Sequence, residues 1–257
     1  MLAIIGGTGL TNLTNLEITH REVVRTPFGE PSGHLSFGHI GKAEVVFLAR
    51  HGYGHTIPPH EVNYRANIWA LKSVGVVRVL AVNSVGGIAA NMGPGVIAVP
   101  DQVIDYTWGR KHTYFDSDSP VTHIDFTFPY CARARQLWLA AAAAVGVEVI
   151  EGGVLGVTQG PRLETRAEIN RMERDGCTLV GMTSMPEAAL AREQKLSYAA
   201  LALSINHAAG RWSSAEGIKL ADAETTLNEG MTKVRTILAE AVALHAAMPA
   251  DQRGLGT

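Results

Sequence analysis

Residues 48–72 read LARHGYGHTIPPHEVNYRANIWALK, and this stretch governs how we interpret the rest of the chain. An apolar strand ends at Arg50-His51-Gly52, and a helical pattern follows over residues 63–74. Such a strand end presents a guanidinium and an imidazole at the carboxyl edge of a sheet, where α/β proteins bind their ligands. Because arginine can grip an anion through two parallel hydrogen bonds, we expect an anion site here. The Arg-His pair alone fits an ordinary surface loop equally well.

Three other apolar strands lead into small hydroxyl-bearing residues. Residues 2–5 precede Gly6-Gly7-Thr8-Gly9, residues 77–82 precede a second glycine corner, and residues 177–182 precede Thr183. The first turn lacks the third glycine of a dinucleotide fingerprint, which favours a phosphate-sized anion over a dinucleotide. Strands buried together in one sheet would bring these ends close to one another. The site would then hold one guanidinium, one imidazole and three hydroxyls, from Thr8, Arg50, His51, Ser84 and Thr183.

Composition narrows the class of protein. The formal net charge of −2 gives no reason to expect a nucleic acid or a membrane surface as a partner. No apolar run reaches the roughly 18–20 residues of a membrane span. Cys131 and Cys177 lie far apart and lack metal-ligand spacing, so we predict no metal site and a reducing, cytoplasmic location.

Strands alternate with helices along the whole chain, which predicts an α/β fold. Early strands without helices between them favour a mixed sheet. We therefore expect a single-domain three-layer αβα architecture over residues 1–257, with a flexible tail from about residue 249.

Five segments together resemble the methylthioadenosine/purine nucleoside phosphorylase family: IIGGTGL (4–10), TPFGEPS (26–32), residues 48–72, TQGPRLETRAE (158–168) and GMTSMPEAALARE (181–193). The resemblance covers about residues 2 to 245, and its bacterial branch that cleaves methylthioinosine is the most similar. It implies a nucleoside phosphorylase-like fold, reversible phosphorolysis with phosphate as co-substrate, no cofactor, and a homotrimer.

The resemblance also implies roles for individual residues. Met182 would lie under the ribose, Leu163 would stand where the family has an aromatic residue against the base, and His123 would reach a neighbouring subunit's 5′ pocket. His51 would orient the phosphate as a catalytic residue. The phosphate contacts would come from Thr8, Arg50, His51, Ser84, Val85 and Thr183.

The segment Ser204-Ile205-Asn206-His207-Ala208 bears on the base. Relatives that act on adenosine-type nucleosides have aspartate at the places of Asn206 and Ala208. An asparagine amide both donates and accepts, so Asn206 could donate to the 6-oxygen of an oxopurine and accept from N7–H. We therefore predict that Asn206 is catalytic and stabilises the leaving 6-oxopurine, with His207 and Ala208 beside the substrate.

Ile218 and Leu220 lie where inosine-type relatives place a histidine against the 5′-hydroxyl. Apolar side chains there favour a 5′-methylthio group, so S-methyl-5′-thioinosine is the expected substrate. His207 leaves this preference open. Four alternatives remain: an inosine/guanosine phosphorylase, a methylthioadenosine phosphorylase, a nucleosidase that uses water, and a non-catalytic nucleoside-binding protein.

Overall fold

A computed structural model describes residues 1–11, 13–116 and 120–253. Within these ranges the strands are β1 (Leu2–Gly6), β2 (Glu17–Glu22), β3 (Leu35–Ile40), β4 (Ala43–Ala49), β5 (Arg78–Gly87), β6 (Ile97–Val99), β7 (Gln102–Asp105), β8 (Ile150–Glu151), β9 (Val154–Val157), β10 (Leu179–Gly181) and β11 (Ser197–His207). The helices are α1 (Tyr64–Ser73), α2 (Ala132–Ala144), α3 (Arg166–Arg174), α4 (Ser184–Glu193), α5 (Leu220–Ala247) and α6 (Ala250–Arg253).

All these strands belong to one mixed sheet, whose main path is β2-β3-β4-β1-β5-β10-β9-β7. The centre is parallel: β4, β1, β5 and β11 run in the same direction. The edge formed by β2 and β3 is antiparallel, because these strands follow one another without a helix between them. The predicted mixed sheet is confirmed.

The two largest apolar cores lie on opposite faces of the sheet, because successive side chains of a strand point to opposite sides. In β1, Ala3 and Ile5 pack into a core that includes side chains of α1 and α4. Leu2 and Ile4 face the other way, into a core that includes side chains of α2 and α5. The predicted three-layer αβα architecture is therefore confirmed.

The prediction that a strand ends near residue 82 and turns at a glycine corner is wrong. β5 continues to Gly87, because β11 pairs with it as far as that residue and β10 joins it antiparallel at Gly86 and Gly87. β1 pairs with β5 only as far as Ala81. The last part of β5 thus extends past the end of β1, and Ser84 reaches the carbonyl of Thr8 at 3.2 Å.

The C-terminal part was predicted to be a flexible tail from about residue 249. Residues 250–253 form the short helix α6, and residues 254–257 lie outside the described residues, so the flexibility stays a prediction. No helix in the described ranges combines the length and the apolar character needed to cross a membrane.

Candidate active site

A cavity of about 400 Å³ opens at the edge of the sheet where β1 and β4 end. Its size is within the range of about 300–1,000 Å³ that is typical of small-molecule sites. β10 enters from the opposite direction, because it runs antiparallel to β5, and so brings Thr183 to the same place. The cavity is lined by every predicted phosphate contact: Thr8, Arg50, His51, Ser84, Val85 and Thr183.

The predicted nucleoside contacts divide into two groups. Five of them line the same cavity, namely Leu163, Met182, Asn206, Ala208 and Ile218. The other two, His207 and His123, do not line it. His123 is exposed in an irregular segment after β7, and Leu220, which we considered with Ile218, is 70% exposed.

Gly7 allows the cavity wall to pass close to Arg50. A Cβ atom at this position would lie 2.8 Å from Nη1 of Arg50 and 2.8 Å from the carbonyl oxygen of Val82. Both distances are below van der Waals contact, so a larger residue would force these groups apart. The absence of a side chain at Gly7 therefore leaves room for the guanidinium of Arg50.

Arg50 is fully buried and forms a two-pronged ion pair with Glu187 of α4. Its Nε and Nη2 atoms donate to the two carboxylate oxygens at 2.6 and 2.7 Å, and Nη1 donates to the carbonyl of Val82 at 3.0 Å. Tyr198 donates a further hydrogen bond to Glu187 at 2.8 Å. Burial alone would lower the pKa of Arg50, but the carboxylate outweighs it and raises that pKa above its usual value. The cavity thus has a rigid guanidinium whose charge is already paired.

His51 is a neutral imidazole in this site. Its Nδ1 lies 2.8 Å from the carbonyl oxygen of Ile57 and must carry a proton to make that bond, so Nε2 is left as an acceptor. Burial and the neighbouring Arg50 lower the pKa of His51 to about 4. His51 therefore offers a hydrogen-bond acceptor near pH 7, and we expect it to accept from a protonated phosphate oxygen.

Two hydroxyls of the site are arranged differently. Asn83 donates to Oγ1 of Thr183 at 2.8 Å, which leaves the Thr183 hydroxyl hydrogen available for another acceptor. The Ser84 hydroxyl instead donates to the Thr8 carbonyl at 3.2 Å and would have to rotate to donate to an anion. The Thr183 hydroxyl is therefore already oriented to donate to an anion. Asn83, which orients it, is not among the predicted site residues.

A β-bulge directs Asn206 into the cavity. The pairing of β11 with β5 shifts between Ser204 and Asn206, so Ile205 is an extra residue, and both it and Asn206 line the cavity. Bulges commonly redirect side chains in this way beside functional sites. The Asn206 amide nitrogen donates to the carbonyl of His207 at 2.6 Å, so its oxygen and its second hydrogen remain for a ligand.

The predicted substrate contact of His207 is not supported, because the alternation of the strand after the bulge turns this side chain away from the cavity. Its Nδ1 lies 2.8 Å from the hydroxyl of Ser213, and its ring approaches that of Trp212 at 6.4 Å. His207 thus does not line the cavity of its own chain.

Glu164 is a cavity residue that sequence reasoning missed. Its side chain lines the cavity, is 9% exposed, and accepts a hydrogen bond from Thr158 at 2.6 Å. Burial raises the pKa of its carboxyl group. The sequence did contain an indication of this role, because Glu164 directly follows Leu163, the residue expected to contact the base.

Among the described residues no cluster of histidine, cysteine and carboxylate side chains could hold a metal ion.

The lowered pKa values of His51 and His245 predict how stability depends on pH. Burial lowers both from 6.5 to about 4. The unfolded chain takes up these protons near pH 6.5 and the folded chain only near pH 4, so the free energy of unfolding should decrease as pH falls through this interval. Urea unfolding from about pH 8 to about pH 4 measures it, and replacing both histidines with glutamine should flatten the slope. An unchanged slope in that variant would contradict the assignment.

Comparison with known proteins places the fold and site in a family. The model of the Phosphorylase superfamily matches residues 1–243. The chain therefore belongs to this superfamily, and the predicted family and the predicted enzyme class, a phosphorylase, are confirmed.

The individual relatives agree with this assignment. The chain is 56% identical over 238 residues to "Probable S-methyl-5'-thioinosine phosphorylase" of Pseudomonas syringae pv. tomato, with 92% of this chain and 96% of that protein covered. It is 45% identical to "6-oxopurine nucleoside phosphorylase" of Pyrococcus furiosus, covering 81% and 80%. Methylthioadenosine phosphorylase from Schistosoma mansoni in complex with adenine superposes with a TM-score of 0.93 at 35% identity, covering 98% and 94%.

Proposed function

We propose that this protein cleaves a 6-oxopurine nucleoside with phosphate, and that S-methyl-5′-thioinosine is its preferred substrate. The products are then hypoxanthine and 5-methylthioribose 1-phosphate. The observation that carries the proposal is the presence of one amide, Asn206, and one carboxylate, Glu164, in the wall of a cavity that also holds Arg50, His51 and Thr183.

The two polar side chains match the hydrogen-bonding edge of an oxopurine. Hypoxanthine carries a donor at N1 and an acceptor at O6, whereas adenine has an acceptor at N1 and a donor at its 6-amino group. The Glu164 carboxylate accepts from N1–H and would face the lone pair of adenine N1. Asn206 donates its second amide hydrogen to O6 and accepts from N7–H. Both residues therefore favour the 6-oxopurine.

The mechanism that we propose needs no nucleophile from the protein. A phosphate oxygen attacks C1′ of the ribose, the bond from C1′ to N9 breaks, and its electron pair passes to the purine. The purine takes up a proton at N7 and leaves as neutral hypoxanthine, and this proton is balanced by the one that HPO4²⁻ gives up as it becomes the sugar 1-phosphate dianion. Arg50, Thr183, Thr8, Ser84 and the backbone at Val85 hold the phosphate, and His51 orients it. Met182 lies under the ribose. Positioning and electrostatic stabilisation supply most of the acceleration, with Asn206 stabilising the charge that builds up on the leaving base.

Ile218 supports the 5′-methylthio preference, because it provides an apolar wall in the cavity. Leu163 and Ala208 provide further apolar surface there. Each buried methylene-sized group contributes about 0.8 kcal/mol, so such a wall favours a methylthio group over a hydroxyl. The relative from Pseudomonas syringae bears the name of a methylthioinosine phosphorylase, which agrees with this preference.

One assay tests the proposal. We expect rapid cleavage of methylthioinosine with phosphate, slower cleavage of inosine and methylthioadenosine, and no cleavage when phosphate is omitted. Cleavage without phosphate would indicate a nucleosidase, and a preference for inosine would favour the purine nucleoside phosphorylase alternative. Absence of cleavage with all three nucleosides would favour a binding protein.

Replacing Glu164 with glutamine should lower kcat/KM for methylthioinosine by about 10- to 100-fold, because a carboxylate that accepts from N1–H is exchanged for an amide that can turn a donor towards it. Activity on methylthioadenosine should fall less. Steady-state kinetics on both nucleosides measures this difference. The exposed Glu148→Gln is the control and should leave both values unchanged. Equal losses on the two substrates would contradict the role of Glu164 in base recognition.

We further propose a cytoplasmic homotrimer that requires no cofactor besides its co-substrate phosphate. His123 is exposed and outside the cavity of its own chain, which fits a role in a neighbouring subunit. Mass determination in solution tests the trimer. A His123→Ala variant tests the shared site, because it should raise the KM for the nucleoside without changing the oligomeric state.

A further inference from the structure

The charged side chains in the cavity wall do not by themselves favour binding of the phosphate dianion. Arg50 is the only lysine or arginine among the described residues that line the cavity, and its charge is paired with Glu187 at 2.6 Å. Glu164 adds a carboxylate to the wall, and His51 is neutral near pH 7. Because a buried anion is costly without a compensating charge, a further cation is needed close to the site.

Arg110 is a buried cation directly behind this wall. It follows β7, is 8% exposed, and has no carboxylate among its hydrogen-bond partners in the described part of the chain. Asp105 attracts the guanidinium but forms no ion pair with it. Its donors are instead directed to the hydroxyl of Tyr64, the side chain of Gln159, and the backbone carbonyls of Thr158, Gln159, Met182 and Met185.

These backbone contacts connect two loops of the site. Nη1 of Arg110 donates to the carbonyl of Met182 at 2.9 Å, and Met182 and the adjacent Thr183 both line the cavity. Nη2 donates to the carbonyl of Gln159 at 2.9 Å, in the loop that continues to Glu164. The guanidinium thus donates to both loops that contribute residues to the cavity wall.

We propose that Arg110 is an electrostatic and positioning residue for the phosphate: its unpaired charge attracts the dianion from behind the cavity wall, while its hydrogen bonds hold the loop that carries Thr183. The inference rests on the proposed phosphorolysis. At an effective dielectric constant of about 20, a unit charge acting on a nearby dianion can change affinity more than tenfold. In this proposal Arg110 supplies the net positive charge near the phosphate, whereas the sequence predicted that this charge would come from Arg50.

Two variants separate charge from hydrogen bonding. Arg110→Gln removes the charge, and Arg110→Lys keeps it but loses most of the hydrogen bonds. We expect Arg110→Gln to raise the KM for phosphate about tenfold or more and Arg110→Lys to raise it about threefold, with the KM for the nucleoside within about twofold in both.

Arg135→Gln is the matched control, because Arg135 also donates to backbone carbonyls, those of Pro100 and Val99, but does not line or adjoin the cavity. Its KM values should equal those of the wild type. Parallel rises in both KM values of Arg110→Gln and Arg110→Lys would mean a purely structural clamp and would overturn the inference.

If Arg110→Gln fails to fold, the phosphate KM of Arg110→Lys is sufficient to test the inference. A phosphate KM near that of the wild type supports the inference, and a rise of about tenfold overturns it because the charge is retained. The two proposals fail in different ways. A wild type without phosphate-dependent cleavage refutes the proposed function. A phosphorolytic wild type whose phosphate KM is unaffected by Arg110→Gln refutes only the inference about Arg110.

Discussion

Replacing Glu187 with glutamine is expected to lower the free energy of unfolding by about 3–5 kcal/mol, because it leaves the Arg50 guanidinium buried without its counter-charge. Glu187 and Arg50 are both 0% exposed, so water cannot take the place of the lost carboxylate. The hydroxyl of Tyr198 would lose its charged acceptor in the same variant. We also expect a higher KM for phosphate, since Arg50 would no longer be held in one orientation. Urea unfolding and phosphate kinetics measure the two effects.

Two further variants make this experiment specific. Glu193→Gln changes a half-buried glutamate of the same helix that accepts from Thr113 and Tyr114, and it should cost clearly less. Replacing Arg50 with methionine and Glu187 with leucine together should recover much of the lost stability, because an apolar pair needs no charge compensation. That double variant should have little or no activity, because it lacks the Arg50 guanidinium that we propose holds the phosphate. A Glu187→Gln protein as stable as the wild type would refute the view that this ion pair supports the site.

Changing Asn206 to aspartate is expected to shift the ratio of kcat/KM values for methylthioinosine and methylthioadenosine by about 10- to 100-fold towards the adenine nucleoside. An ionised aspartate cannot donate to the 6-oxygen, but it accepts from a 6-amino group. Most of the shift should come from lost activity on methylthioinosine, because Glu164 still faces the lone pair at N1 of adenine. Adding Glu164→Gln, whose amide can donate to N1, should move the ratio further.

His207→Gln is the control for this experiment. It changes the next residue of the chain, whose side chain points away from the cavity towards Ser213 and Trp212. The selectivity of His207→Gln should match that of the wild type. If Asn206→Asp left the ratio unchanged, or if His207→Gln altered it as much, the assignment of base recognition to Asn206 would be wrong.

Much of the fold follows from local patterns in the chain. The strand-and-glycine turn after Ile5, the alternation of apolar strands and helices, and the proline in the first turn of α4 are short-range features. Periodicity and turn chemistry act over a few residues, so they are legible without any tertiary contact. They predicted the layers of the fold, and they placed the main anion-binding candidates at strand ends that do converge in one cavity.

Other features depend on which segments become neighbours. Glu187 is 137 residues from Arg50, and Asn83 is 100 residues from Thr183, so no local pattern indicates either pair. The charged Glu187 within the apolar run of α4 could have suggested a buried partner, but not which one. Arg110 lies in a segment that looks like a polar surface loop, yet it is buried because it satisfies carbonyls of two other loops.

The amino-acid sequence by itself determined the family, the order of strands and helices, and the residue types that surround the cavity. Tertiary structure alone decided how those residues share charge and direction: Arg50 is neutralised by Glu187, Asn206 faces the cavity, and His207 does not. The physical reason is the distance along the chain over which each kind of interaction acts. Backbone conformation follows from neighbouring residues, whereas ion pairs, desolvation and the bulge between Ser204 and Asn206 follow from packing between segments that are distant in the chain.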